Sequence, residues 1–292
     1  MASVKKAKPS GKMKDFLKSK DSGTRVIGAV ERYIITKPPK EEDRRSDVLH
    51  PSAMVKPDWC HRGSYFQLIG HKPPKNKFDS SLRMYGVFET GHATHARWQN
   101  LFRDMGNLWG RWQCLDCGQV YTGFADKHAH HEVALQKYKE VSLNYPPLRI
   151  AGHSDGLLVN FGDPLMLEVK TIGPGTFRFE APDIFYPNDG DFAKMWDAIK
   201  SPFAGHVAQV QIYMKLAELL KIPFIPQEAV LIYENKATGE YKEFIVPKSS
   251  FAIKHLFDAA EMICKAVDSL TPPYCNVGGL QGCKQCKEYD NV

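Results

Sequence analysis

The stretch RIAGHSDGLLVNFGDPLMLEVKTI, residues 149–172, contains the positions that decide the fold. Its two apolar runs, broken by Gly, Asn and Pro, predict two strands. Asp155 follows the start of the first strand, while Glu168 and Lys170 lie two residues apart in the second and therefore point to one face. Because residues 165–167 are apolar, part of the second strand is expected to be buried, and a buried charge needs a partner or a metal ion.

These residue types suit the hydrolysis of a phosphodiester bond. The carboxylates of Asp155 and Glu168 can hold one or two Mg²⁺ or Mn²⁺ ions, because hard cations prefer oxygen ligands. A bound ion lowers the pKa of its water and neutralises charge on the phosphate, and Lys170 can orient that water or stabilise the transition state. The sequence therefore predicts a metal-dependent nuclease. The alternative is that Glu168 and Lys170 form the ordinary polar face of a half-buried strand.

Helices and further strands are predicted around this segment. The runs AVLIYEN and YKEFIVP, joined through Thr238-Gly239, predict a β-hairpin. Apolar side chains recur at helical spacing in three other segments. These predicted helices are residues 86–106, 203–221 and 249–269. Helices around a central run of strands indicate an α/β or α+β domain.

The arrangement Asp155, twelve residues, Glu168-x-Lys170 resembles the core motif of the PD-(D/E)XK nuclease superfamily. Upstream, Gly91-His-Ala-Thr-His95 opens a helix, as in the RecB-like branch, where a helical His contributes a metal ligand. The resemblance implies a restriction-endonuclease-like α/β core, with a mixed central sheet flanked by helices. It also implies that His95, Asp155 and Glu168 bind the catalytic metal. The alternative for His95 is a hydrogen-bonded core histidine.

A third motif of the same branch lies downstream. Gln209-x-x-x-Tyr213 resembles the QxxxY motif, and side chains at i and i+4 are neighbours on a helix. The resemblance implies that both residues contact DNA and the active site, and packing beside Leu216 and Leu220 is the alternative. Weaker candidates for the same site, by their positions in the sequence, are Glu140, His92 and His153.

The seven cysteines are an odd number, so they cannot all form intramolecular disulfides. Cys60 lies in WCHRGSY, which resembles the C-x-R-x-x-Y segment of RecB-like nucleases with an iron–sulfur cluster, including the AddB type and the CRISPR-associated exonucleases. There, one early cysteine joins three late ones, which here are Cys275, Cys283 and Cys286. The resemblance implies a [4Fe–4S] cluster on these four thiolates. The late spacing, C-x7-C-x2-C, departs from the family, in which the short gap usually comes first.

A separate pair, Cys114-Leu-Asp-Cys117-Gly, resembles a zinc knuckle, in which a tight turn aims both sulfurs at one ion. The pair lies in residues 108–131, which we predict to be a zinc-binding insertion. The histidines that are candidates to complete a Cys₂His₂ site are His128, His130 and His131. The alternatives are a Zn²⁺ ion shared with Cys283 and Cys286, or two reduced surface thiols.

Composition and charge narrow the class of protein. With 43% apolar and 25% charged residues, the chain is typical of a soluble globular protein. No run of about 18 apolar residues occurs, so no membrane span is predicted, and the Lys-rich N-terminus is not expected to be a secretory signal. Residues 1–25 carry eight Lys or Arg and two Asp, and their net charge of +6 equals that of the whole chain. Such a tail is predicted to be disordered and to attract a phosphate backbone, or to be a solvated tail without a role.

The remaining residues, 26–292, are predicted to form a single nuclease domain that ends in a cysteine-rich clamp at 272–292. No G-x-x-x-x-G-K-[ST] motif occurs, so a fused helicase motor is not expected. The expected substrate is DNA that is single-stranded or has free ends, with a helicase or recombination protein as a candidate partner. The predicted insertion followed by GHSDG resembles nucleases of tailed bacteriophages, which implies action in the host cytoplasm in replication, recombination or DNA breakdown.

Three functions are compatible with these residues. The first is a DNA exonuclease of the RecB-like branch. The second is a structure-specific or CRISPR-adaptation endonuclease of the same fold. The third is a non-catalytic DNA-binding protein that is held together by its metal centres. The presence of all the catalytic residue types favours an enzyme.

Overall fold

The structure is a computed structural model that describes residues 25–36, 45–71, 82–125, 136–287 and 289. The predictions made for residues 1–24 and for His128, His130 and His131 lie outside these ranges. The chain divides into two compact units, Met1–Arg44 with Lys75–Thr90, and Arg45–Pro74 with Gly91–Val292. The limits predicted for a basic tail and a single nuclease domain stay predictions.

The described residues contain the three predicted helices and further helices that were not predicted. In chain order they are α1 (Arg25–Thr36), α2 (Pro51–Met54), α3 (His61–Leu68), α4 (Leu82–Asp104), α5 (Pro174–Glu180), α6 (Pro182–Phe185), α7 (Phe192–Ala198), α8 (Ala204–Leu219), α9 (Lys254–Asp268) and α10 (Lys284–Lys287). In the first unit, the described elements are α1 and the part of α4 up to Thr90. The three predicted helices correspond to α4, α8 and α9. The segment 174–202 forms α5, α6 and α7, and Asp191 caps α7 by accepting hydrogen bonds from two backbone amides.

The second unit contains a mixed central sheet, as predicted. Its strands and those beside it are β1 (Leu108–Cys114), β2 (Val120–Gly123), β3 (Gln136–Lys139), β4 (Val141–Tyr145), β5 (Ile150–Ser154), β6 (Gly156–Leu158), β7 (Leu165–Ile172), β8 (Glu228–Asn235) and β9 (Tyr241–Pro247). The order is β2-β1-β6-β7-β8-β9, with β3 also paired to β1. Strands β7 and β8 are parallel, and the other neighbours are antiparallel. The α/β fold class is therefore confirmed.

Two pairs of neighbouring antiparallel strands lie close to each other in the sequence, and the second of them leads to Asp155. Strands β8 and β9 form the predicted hairpin, and Gly239 in its turn has a φ of +74°, which glycine adopts without strain. Strands β4 and β5 form a separate two-stranded ribbon. Since β5 ends at Ser154 and β6 begins at Gly156, Asp155 lies where the chain passes from this ribbon into the central sheet.

The sheet is covered on both faces by apolar side chains. On one face, Met166 of β7 belongs to the main core together with Leu216 of α8. On the other face, Leu167 and Val169 belong to a second core cluster together with Phe102 of α4. Strands β7 and β8 are buried almost throughout, which is typical of parallel strands with helices on both sides. Alternate residues of β7 thus face different helices.

The predicted insertion begins inside this sheet. Its first strand, β1, pairs with β6 through Leu108 and Trp109, and it also pairs with β2 and β3. Trp112 on β1 is 1% exposed and packs in the second core cluster. The first cysteine of the knuckle, Cys114, therefore ends a strand of the central sheet. In the part of the chain that the structure describes, no helix is both long and apolar enough to cross a membrane.

Candidate active site and cysteine cluster

The carboxylate of Glu168 is the centre of a buried polar network. Glu168 and Lys170 are in phase with Met166 on β7, so their side chains face α8. Glu168 Oε1 lies 2.6 Å from Lys170 Nζ and accepts a 2.9 Å hydrogen bond from Gln209 Nε2. Gln209 Oε1 accepts from Lys170 Nζ at 3.1 Å, and Gln209 Nε2 donates to Tyr213 Oη at 2.8 Å. The sequence motif on α8 therefore contacts the motif on β7.

One oxygen of this network is left without a partner. Glu168 is 3% exposed, and its Oε2 atom has no hydrogen bond within the described residues. Burying a carboxylate oxygen in this way is energetically unfavourable, because the oxygen loses its hydrogen bonds to water and forms no new ones. Such an atom is therefore a candidate ligand for a cation.

A second group of ligand atoms surrounds Asp155. Asp155 Oδ2 accepts a 2.6 Å hydrogen bond from the backbone amide of Val169, which ties the Asp155 bend to β7. Asp155 Oδ1 lies 3.0 Å from His95 Nδ1 on α4. One ligand atom each from His95, Glu140 and Asp155 lies within 4.8 Å of the other two. The structure thus places the weaker candidate Glu140 beside the stronger candidates His95 and Asp155.

The charges at this site are dominated by carboxylates. Burial raises the pKa of Glu168 to about 7, although the positive charge of Lys170 acts in the opposite direction. Burial and the charge of Asp155 raise the pKa of Glu140 to about 7. Burial acts to lower the pKa of His95, but its hydrogen bond to Asp155 and the neighbouring carboxylates raise it overall. The site holds three acidic side chains and one lysine, and a bound cation would reduce the repulsion between the carboxylates.

The donor set fits the Mg²⁺ or Mn²⁺ ion that the resemblance implies. Carboxylate oxygens from Asp155 and Glu140, with one imidazole nitrogen from His95, are ligands that such ions accept, and Glu168 lies outside this group of mutually close ligand atoms. The unpartnered Oε2 atom of Glu168 is the structural observation in favour. Burial acts to lower the pKa of Lys170, but the charge of Glu168, its hydrogen bond to the lysine and the other nearby carboxylates together raise that pKa, so the lysine beside this set is charged.

Two predicted candidates are not brought into the site. His92 lies on α4, one turn before His95, and is exposed. His153 lies on β5 and is also exposed. Neither belongs to a group of metal-ligand atoms found among the described residues.

Two polar residues at the site were missed in the sequence. Gln99 Nε2 donates to the backbone oxygen of Asp155 at 2.9 Å and to Glu140 Oε1 at 3.4 Å. Its spacing of four residues from His95 on one helix is the signal that predicts this placement. His206 precedes Gln209 by three residues on α8, and its Nδ1 atom lies 2.6 Å from Tyr233 Oη. Burial and the charge of Lys170 lower the pKa of His206 to about 3, so this imidazole is neutral.

Four cysteines form a separate cluster. The sulfurs of Cys60, Cys275, Cys283 and Cys286 lie within 4.8 Å of one another, and Cys60 Sγ is 3.8 Å from Cys275 Sγ. Cys60 is the N-cap of α3, where its sulfur accepts from the amide of Gly63 at 3.2 Å. The structure thus brings together the early cysteine and the three late ones.

The other cysteine pair is arranged differently. Cys114 is buried and Cys117 is exposed, with Gly118 after them at a φ of +74°. Within the described ranges, no third ligand joins these two cysteines. Cys283 and Cys286 lie with Cys60 rather than with the knuckle, which argues against a Zn²⁺ ion shared between the two Cys-x-x-Cys pairs.

Comparisons with known proteins give structural likenesses alone. No protein-family model matches this chain, and no curated protein matches it in sequence. Solved structures that match include an alkaline exonuclease, LHK-Exo, from Laribacter hongkongensis, with 11% identity, a TM-score of 0.41, and coverage of 77% of this chain and 90% of that chain. LHK-Exo in complex with dAMP matches with 13% identity, a TM-score of 0.44 and the same coverage. SSO0001 matches with 12% identity and a TM-score of 0.37, over 89% of this chain and 87% of that chain. Likenesses this distant do not identify the function of the chain.

Proposed function

We propose that this protein is a metal-dependent DNA exonuclease that hydrolyses phosphodiester bonds. The observation that carries the proposal is the buried Glu168 carboxylate, which has one oxygen held by Lys170 and Gln209 and the other left without a partner. The contact between His95 Nδ1 and Asp155 Oδ1 also supports the proposal. A metal-dependent hydrolase that acts on phosphodiesters uses carboxylate oxygens of this kind as ligands, whereas a structural network would be expected to satisfy both oxygens.

The metal ligands that we propose are His95, Asp155 and Glu168, with Glu140 as a further carboxylate. When bound, Mg²⁺ or Mn²⁺ lowers the pKa of a coordinated water and neutralises charge on the phosphate. The protein fixes the ligands in advance. Asp155 is held through the amide of Val169, and the Gln99 amide bridges Glu140 to the Asp155 backbone. Preorganised ligands of this kind reduce the reorganisation that accompanies the reaction.

Lys170 is proposed to orient the attacking water or to stabilise charge on the phosphate. Its ammonium group is held by Glu168 Oε1 and Gln209 Oε1, so its position is determined by two acceptors. Gln209 and Tyr213 are 5% and 4% exposed. Because they are buried, we assign them to positioning Glu168 and Lys170 rather than to direct contact with DNA.

The substrate that we propose is DNA with a free end or a single strand. The basic residues 1–25 would attract the phosphate backbone through counterion release. In this proposal, a separate helicase or recombination protein supplies any unwinding. Action on DNA in replication, recombination or breakdown is part of the same proposal, as is a cytoplasmic location, in a phage-infected host if the chain is phage-encoded.

The test compares end-labelled linear DNA with covalently closed circular DNA, in the presence of Mg²⁺ or Mn²⁺. Wild type should degrade the linear DNA, and Glu168→Gln and Lys170→Ala should each lose about 10²-fold or more in rate. The matched controls are Glu261→Gln and Lys265→Ala, an exposed Glu–Lys pair on α9 whose removal should leave the rate unchanged.

Two outcomes would contradict the proposal. Cutting of closed circles would exclude an obligate exonuclease and favour a structure-specific endonuclease. Wild type that is no more active than Glu168→Gln, on both single-stranded and duplex DNA, would favour a non-catalytic DNA-binding protein.

A further inference from the structure

The four clustered cysteine sulfurs lie too close together for the cofactor that the sequence resemblance implies. All four lie within 4.8 Å of one another, and Cys60 Sγ is 3.8 Å from Cys275 Sγ. Four thiolates around one zinc ion, each about 2.3 Å from the metal, lie about 3.8 Å apart. In a [4Fe–4S] cluster each thiolate binds a different iron at the corner of a cube, which separates the sulfurs by roughly 6 Å.

We propose that Cys60, Cys275, Cys283 and Cys286 bind a single zinc ion in tetrahedral geometry, and not an iron–sulfur cluster. Thiolates are soft ligands that suit zinc. With all four positions supplied by the protein, none is left for water or substrate, which is typical of structural and not catalytic zinc. The inference does not depend on the proposed nuclease activity.

Asn276 fixes the distance between the two ends of the cluster. Its Nδ2 atom donates to the backbone oxygen of Trp59 at 2.9 Å, and its Oδ1 atom accepts from the amide of His61 at 2.8 Å. Asn276, which follows Cys275, is therefore bonded to the backbone on both sides of Cys60. These bonds hold the backbone around Cys60 close to the backbone around Cys275, so the two sulfurs could separate only through rotation of the cysteine side chains.

The turn between the late cysteines is also tightly closed. A Cβ atom on Gly278 would lie 2.3 Å from the backbone carbon of Gly282, so the chain meets itself there. Gly282 has a φ of +70°, and a Cβ atom on it would lie 3.0 Å from Cys286 Sγ. The loop that carries the three late cysteines is therefore compact.

Backbone amides supply the remaining partners of the sulfurs. Cys60 Sγ accepts from Gly63 at 3.2 Å, Cys275 Sγ accepts from Gly278 at 3.1 Å, and Cys286 Sγ accepts from the amide of Cys283 at 3.1 Å. Four thiolates around one divalent ion carry an excess of negative charge, and these amides disperse it. The ion would join α3 to a segment 215 positions later in the chain.

The experiment measures zinc, iron and acid-labile sulfide per chain, on full-length protein purified without oxygen from cells supplied with both metals. The double variant Cys114→Ser/Cys117→Ser removes any zinc held by the knuckle. We expect this variant to retain about one zinc, with neither iron nor sulfide. Replacing the bound ion with Co²⁺ should give the absorption bands of tetrahedral cobalt with four thiolates. Adding Cys283→Ser should remove the zinc, whereas adding Cys264→Ser, in α9, should not.

Three results would overturn the proposal. About four irons with matching sulfide would restore the iron–sulfur cluster. One iron without sulfide would keep the geometry but replace the metal. Double-variant protein without zinc, or a cobalt spectrum unlike that of four thiolates, would remove the site. If the Cys283→Ser protein does not fold, the metal content and cobalt spectrum of the double variant still decide the question.

Discussion

Replacing Glu168 with Gln is expected to change how the stability of the metal-free protein depends on pH. Burial raises the pKa of the Glu168 carboxyl from 4.5 to about 7, even though Lys170 acts against it. The folded protein therefore keeps a proton that the unfolded chain loses between these two values. The stability that this proton contributes is fully present below pH 4.5 and is lost as the pH rises through about 7.

The size of the effect follows from the same values. A pKa raised from 4.5 to about 7 corresponds to about 3 kcal/mol of unfolding free energy. Gln resembles the protonated carboxyl in shape and does not titrate. The difference in unfolding free energy between wild type and Glu168→Gln should therefore be constant at low pH. It should then change by about 3 kcal/mol in favour of the variant as the pH rises to roughly neutral.

The assay is urea unfolding of both proteins in the presence of a chelator, at a series of pH values from about 4 to about 8. Using the difference between the two proteins removes the titration of groups that do not interact with Glu168, whereas His95, whose pKa is raised in part by Glu168, still contributes to the difference. Glu261→Gln on the exposed face of α9 is the control, and its difference from wild type should not vary with pH. A Glu168→Gln difference that stays constant, or that moves in favour of wild type as the pH rises, would refute the reasoning. Added Mg²⁺ should remove the pH-dependent difference, because a ligated carboxylate is ionised in the folded protein.

Four further outcomes are expected. Gln209→Leu removes three hydrogen bonds from the network and should lower kcat by tenfold or more with little change in KM. Tyr213→Phe removes only one of these bonds and should cost about 1 kcal/mol in urea unfolding. An equal loss of kcat in the two variants would contradict the larger role of Gln209. EDTA should abolish DNA degradation, and Mg²⁺ or Mn²⁺ without added zinc should restore it; a requirement for zinc would contradict the assignment of the oxygen site. Asn276→Ala should release the cysteine-bound ion to a chromogenic chelator faster than wild type does. An unchanged rate would show that the hydrogen bonds of Asn276 to the backbone around Cys60 do not help to retain the ion. Deleting residues 1–24 should weaken DNA binding and flatten its dependence on salt, and a binding curve with the same slope would exclude a phosphate-binding role for the tail.

The sequence predicts the parts of the site that depend on periodicity. Glu168 and Lys170 share a face because they are two apart on a strand, and Gln209 and Tyr213 are neighbours because they are four apart on a helix. The contact between these two pairs depends on the parallel pairing of β7 with β8 and on the crossover through α8. No local sequence pattern predicts the contact between the two pairs, and we expected it only from the resemblance to a nuclease family.

Other features could not be predicted because they depend on distances across the fold. The sequence places Cys60 with the three late cysteines only by resemblance, and it says nothing about whether four sulfurs lie about 4 or about 6 Å apart, which is what separates zinc from an iron–sulfur cluster. The knuckle at Cys114 looked like an insertion because its cysteines and histidines are unlike the surrounding sequence. Its first strand nevertheless pairs with β6, since Leu108 and Trp109 supply apolar side chains to the sheet.

The alternative in which Glu168 and Lys170 form an ordinary polar strand face is inconsistent with the burial of the glutamate. A side chain that is 3% exposed is not on a solvated face, and an apolar residue of similar size would be expected to stabilise that position more. A structural ion pair would account for the contact with Lys170, but it would leave unexplained both the unpartnered Oε2 atom and the nearby carboxylate of Asp155, whose negative charge opposes the ionisation of Glu168 and of Glu140. A cation resolves both at once, because it supplies a partner for the oxygen and reduces the repulsion between the acids. The unfavourable electrostatics of the metal-free site are therefore the strongest physical argument that the site exists to hold a metal ion.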